Sequence, residues 1–118
     1  MELKELNSYL EVLTGTALIE YWDLKNEILK IQVTGDVGTF DKGEIDLIFH
    51  GVEVVNLPNS ILTPIQLTKS TKDLWSVGIK ENYQEQGKTL FEIIDDAKDP
   101  WFIYAESFSF KKLPIYYG

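Results

Sequence analysis

Trp101-Phe102-Ile103-Tyr104-Ala105-Glu106-Ser107-Phe108-Ser109-Phe110 is the stretch whose reading decides the fold. Phe102, Tyr104, Phe108 and Phe110 share one parity, while Ile103, Ala105, Ser107 and Ser109 take the other. A period of two is that of a β-strand, whose successive side chains point to opposite faces. Upstream, Leu29, Ile31 and Val33 alternate with Lys30 and Gln32. Ile45, Leu47 and Phe49 alternate with Glu44 and Asp46 in the same way. Residues 17–22, 52–55, 65–67, 75–79 and 90–94 are rich in β-formers and complete the set of expected strands.

The connections between these strands are short. Residues 23–27, 35–43, 68–72, 81–88 and 95–100 are polar or glycine-bearing and read as turns and loops. Gly51 is expected to bend or bulge its strand before Val52. Pro58 and Pro64 bracket residues 59–63, which excludes a central strand there because proline lacks the ladder donor.

One segment has a different period. Leu3, Leu6, Leu10 and Leu13 recur on one helical face with Tyr9 beside them, and Gly15 stands where a helix would terminate. The spacing predicts a helix over residues 2–13, too short to be stable unless its leucines dock on something. The expected fold is therefore α+β and β-dominant, a single domain over residues 1–118. In it a short N-terminal helix packs on an antiparallel sheet of about six or seven strands. Trp22, Trp75, Phe49, Phe91 and the Phe102–Phe110 set are the expected large core residues.

Composition excludes several kinds of chemistry. The 118 residues contain no Cys, so there is neither a disulfide scaffold nor a thiolate metal site nor a cysteine nucleophile. His50 is the single histidine, which removes any His-His metal pair within one chain. Eleven basic against nineteen acidic residues give a net charge of −8, the wrong sign for general binding to nucleic acid or anionic membranes. All the basic residues are lysines, so bidentate guanidinium recognition of phosphate or carboxylate is unavailable. No apolar run is long enough to span a bilayer, and Met1-Glu2-Leu3-Lys4-Glu5 does not open a signal peptide, so a cytoplasmic location is expected.

Few constellations could carry chemistry. His50 could act as a general base with Asp46 or Glu53, but no nucleophile motif accompanies it. Asp95, Asp96 and Asp99 cluster before Pro100-Trp101, and Asp36, Asp41 and Glu44 lie near three glycines. Neither group has the alternating spacing of a calcium loop. Gly35, Gly38 and Gly43 fit no phosphate-binding pattern. No catalytic residue, metal site or cofactor is expected.

Phe49-His50-Gly51-Val52 and Ser107-Phe108-Ser109-Phe110, in a helix-then-meander order, resemble small bacterial immunity-type proteins of toxin–immunity systems. A Trp-His-Asp-type beginning common in such proteins is absent, and Gly15-Thr16-Ala17-Leu18-Ile19-Glu20 stands in its place. The resemblance implies an inhibitor of a protein partner. With the acidic charge, it leads to the expectation of a non-enzymatic binding module that meets a basic protein through Asp95, Asp96, Asp99 and Trp101. The alternatives are a small enzyme or ligand-binding domain with a site inside a curved sheet, and a homo-oligomeric subunit whose partner is a second copy.

Overall fold

The structure, a computed structural model, describes residues 2–11, 16–34, 44–58, 60–62, 64–70, 88–95 and 101–113. The leucine stripe forms helix α1 (Glu2–Leu10), closed by the Glu11 N–H donating to the Asn7 carbonyl at 3.0 Å. The helix is shorter than expected, and Leu13 and Gly15 lie outside the described residues. Leu6 and Leu10 are fully buried.

Nine strands follow among the described residues. They are β1 (Thr16–Asp23), β2 (Ile28–Thr34), β3 (Glu44–His50), β4 (Val54–Asn56), β5 (Ser60–Leu62), β6 (Gln66–Lys69), β7 (Thr89–Ile94), β8 (Trp101–Ala105) and β9 (Ser107–Leu113). They build a five-stranded sheet in the order β5-β1-β2-β3-β9 and a four-stranded sheet in the order β4-β8-β7-β6, with every pairing antiparallel. The protein is β-dominant with one short helix, as the alternation predicts, but the strands number more than six or seven and form two sheets instead of one. The strand expected over residues 75–79 and the segment 35–43 lie outside the described residues.

The reason for the second sheet sits at one corner. β3 pairs with β9 in the first sheet, and its continuation β4 pairs with β8 in the second. Residues 44–56 and 101–113 thus form one two-stranded ribbon that bends from layer to layer. Gly51 makes the bend on one strand with φ of +64°, a left-handed value that glycine adopts without penalty. Glu106 makes it on the other, its N–H donating to the His50 carbonyl at 2.9 Å. A Cβ on Gly51 would meet the Glu106 side chain at 2.5 Å, so both conformation and space demand glycine.

This corner also resolves the parity of residues 101–110. Within β8, Ile103 and Ala105 enter the main core, whereas Phe102 and Tyr104 are buried with Leu90 in a separate small cluster. Past Glu106 the assignment inverts, and Phe108 and Phe110 pack on the main core. One period-two pattern is therefore two strands serving opposite faces. The main core lies between the sheets, where Leu29, Ile31, Val33, Ile45, Leu47 and Phe49 meet Leu67, Phe91, Ile93, Ile103 and the helix leucines. Phe91 sits edge-on to Phe49 and Phe108, with both centroid distances 5.6 Å.

Trp22 departs from its expected place in the core, being 41% exposed. β5 covers only Thr16, Ala17 and Leu18 of β1, and the β1–β2 register shifts between Ile19 and Tyr21. Trp22 consequently stands beyond the reach of β5, with no outer strand among the described residues. Trp75, the other expected core tryptophan, lies outside the described residues.

Candidate functional site

Of the expected partner-binding residues, Asp95 and Trp101 are described, and Asp96 and Asp99 are not. Asp95 directly follows the last residue of β7, and Trp101 opens β8, where it pairs with Ile93. The register brings the two side chains together. The indole N–H of Trp101 donates to Asp95 Oδ2 at 3.2 Å. Trp101 packs against the core and is half-buried, so its ring serves as a support for the carboxylate more than as a free anchor.

Asp95 lines an open cleft of about 230 Å³ together with Glu11, Pro64, Gln66 and Ile94. Glu11 comes from the turn after α1, Gln66 from edge strand β6, and Ile94 is 37% exposed. Clefts for drug-sized ligands run from about 300 Å³ upward. This smaller one suits a single protruding side chain. Two carboxylates and an amide around an apolar floor complement a lysine or arginine head with its methylene stem. Asp95 was legible in the sequence as part of an acidic turn, but Glu11 and Gln66 were not, because only the packing of the helix end on β6 brings them there.

Several other polar groups are structurally engaged. His50 Nε2 lies 3.0 Å from Ser109 Oγ across the β3–β9 pair, on the solvated face of the five-stranded sheet. Neither carboxylate weighed as its partner serves it. Asp46 lies 3.5 Å from Lys30 Nζ, and Glu53 accepts a 2.8 Å bond from Lys88 Nζ. Lys30 also meets Glu20 at 3.3 Å, and that hydrogen bond, with help from Asp46, raises its ammonium above its ordinary value despite partial desolvation. The Lys88 side chain is 4% exposed and lies 4.0 Å from Glu27 as well, tying the β1–β2 turn to the corner. Burial raises the Tyr104 phenol above its usual 10.0, opposed by the nearby Lys88 charge. Asp23 is lowered by hydrogen bonds from the Asn26 side chain and backbone and from the Lys25 N–H, which fold the β1–β2 turn.

No group of three or more His, Cys, Asp or Glu side chains among the described residues could hold a metal ion, and no described helix is long and apolar enough to cross a membrane. The two tetrapeptides that carry the immunity-type resemblance meet at the corner, with Phe49 opposite Phe108 and His50 opposite Ser107. No protein-family model matches the chain, and neither a curated protein nor a solved structure is significantly similar to it.

Proposed function

We propose that the chain is a non-enzymatic protein-binding module, an inhibitor of the immunity type, that captures a basic side chain of its partner at the Glu11–Asp95 cleft. The observation that carries this reading is the Asp95 carboxylate, held by the Trp101 indole at the mouth of a cleft that Glu11 and Gln66 also line. The net charge of −8 supports it, since a field of opposite sign accelerates encounter with a cationic protein. Asp96 and Asp99 add two negative charges to the segment of sequence that follows Asp95.

The test is co-expression with the products of the adjacent genes, scored by a stable complex in gel filtration and by relief of any toxicity. A complex whose association rate falls steeply with salt, and falls again in Asp95→Asn and Glu11→Gln, is the expected result. A complex indifferent to both substitutions places the interface elsewhere. Activity of the purified chain on a small substrate, lost in those variants, overturns the reading in favour of an enzyme.

A further inference from the structure

Of the four sheet edges among the described residues, three are short, interrupted or occupied. β4 and β5 have three residues each. The stretch of β1 beyond β5 carries the register shift at Ile19/Tyr21. β6 is closed by the helix, since Asn7 Nδ2 donates to the Leu67 carbonyl and the Leu67 N–H donates to Asn7 Oδ1, both at 2.8 Å. The fourth edge is unlike these. β9 runs seven residues in unbroken register with β3, from Glu44 opposite Leu113 to His50 opposite Ser107, and among the described residues no strand pairs with its other side. Such an edge presents a row of backbone donors and acceptors to any strand that can reach it.

Lysines on an edge usually discourage strand addition, but one of the two lysines of β9 is engaged within its own protomer and the other is left exposed. Lys112 Nζ sits 4.5 Å above the Tyr9 ring. Lys111 stands opposite the buried Asp46 in the register. Inside the edge, Phe108 and Phe110 are only half-buried, and Tyr9 lies 6.1 Å from Phe110. An added strand would complete that apolar cover.

The geometry points to a second copy of this chain as the occupant, with two β9 strands pairing antiparallel about Phe110 to join the five-stranded sheets across a twofold axis. The strand is self-complementary in that register. Phe110 faces its own copy, each Lys111 faces Ser109 of the other copy, each Lys112 faces Phe108, and no lysine faces a lysine. Opposite like charges, which destabilise antiparallel pairs, are thereby avoided. An isologous contact of this kind closes on itself and stops at the dimer. The site is separate from the Glu11–Asp95 cleft, so the two proposals stand or fall independently.

The test places charge at Ser109, which is exposed and faces Lys111 of the other copy in that register. Sedimentation or light scattering of the whole chain should show a monomer–dimer equilibrium with a Kd of about 1–100 µM. Ser109→Lys puts two like-charged pairs into the dimer and should raise Kd at least several-fold. Ser109→Glu puts two opposite-charged pairs there and should lower it. The substitutions alter the same His50 contact, so a merely structural role for Ser109 would shift both variants the same way. Hydrogen exchange gives a readout without any variant, because amides of β9 should gain protection as protein concentration rises. A chain that stays monomeric to roughly 500 µM overturns the proposal. A dimer with both variants shifted in the same direction, or one with concentration-independent exchange in β9, overturns it equally.

Discussion

The side-chain amide of Asn7 pairs with the backbone of Leu67 as a strand residue would, giving and receiving one hydrogen bond, each of 2.8 Å. A helix residue thus ends a sheet. The contact spans 60 positions in sequence and fixes α1 against β6, which in turn sets Glu11 beside Gln66 in the cleft. Asn7→Ala removes two partly buried bonds and leaves the Leu67 groups unpaired, a loss of about 2 kcal/mol at roughly 1 kcal/mol per bond. Urea unfolding of the two proteins measures it. A change under about 0.5 kcal/mol would show that water replaces the amide at no cost.

Leu6 and Leu10 anchor the same helix, each fully buried in the main core. Leu6→Ala and Leu10→Ala should each cost about 2–5 kcal/mol, the usual range for truncating an enclosed leucine. Equilibrium denaturation decides the point. A smaller loss at both sites would mean that the helix is only loosely docked.

Gly51→Ala combines two penalties. Its φ of +64° costs an L-residue about 1–2 kcal/mol, and the new methyl meets the Glu106 side chain. Glu106 is exposed and can swing aside, so most of the steric part is recoverable. The double variant with Glu106→Ala should regain that part and retain the conformational part. A double-mutant cycle separates them, and full additivity would refute the steric contact.

Stability should fall at high pH through Tyr104. Its phenol holds the proton more tightly folded than unfolded, so the two states bind equal protons well below pH 10. As pH rises past the unfolded value, the unfolded chain loses its proton first, and the native state loses stability until the folded phenol ionises. Tyr104→Phe should flatten the slope of unfolding free energy above about pH 10. An identical slope in both proteins would put the titration elsewhere.

His50→Ala removes one hydrogen bond to Ser109 on a solvated face. Binding of any partner at the Glu11–Asp95 cleft should be unaffected, and stability should change by no more than about 1 kcal/mol. Calorimetry with the partner and thermal unfolding without it provide the two readouts. A folded variant that no longer binds would relocate the interface to this sheet face.

The alternation of residues 29–33 and 45–49 announced strands with Leu29, Ile31, Val33, Ile45, Leu47 and Phe49 inside, and the structure buries all six. Local periodicity succeeds there because neighbouring strands on both sides keep one face consistently dry. It misleads at residues 101–110, since the period of two continues unchanged through Glu106 while the sheet behind it changes. Nothing within ten residues records which layer a strand belongs to. Trp22 misleads for a related reason. Its size argued for burial, but burial depends on the three-residue length of β5, which is set elsewhere in the chain. The cleft was half-legible. Asp95 announced itself as part of a charged turn, whereas Glu11 and Gln66 carry no local mark of the place they meet.

The ribbon at the corner has a kinetic consequence. β3 finds β2 close by in sequence, but its other neighbour arrives much later, as His50 touching Ser109 across 59 positions makes plain. Ordering so long an intervening segment is an entropic toll collected before the contact gives anything back. The meander of β1, β2 and β3 can therefore assemble early, with the flank of β3 bare until β9 reaches it. During that interval the exposed strand is open to capture by other chains. The waiting time of the nascent molecule, more than the depth of its final energy well, then governs how much of it reaches the native state.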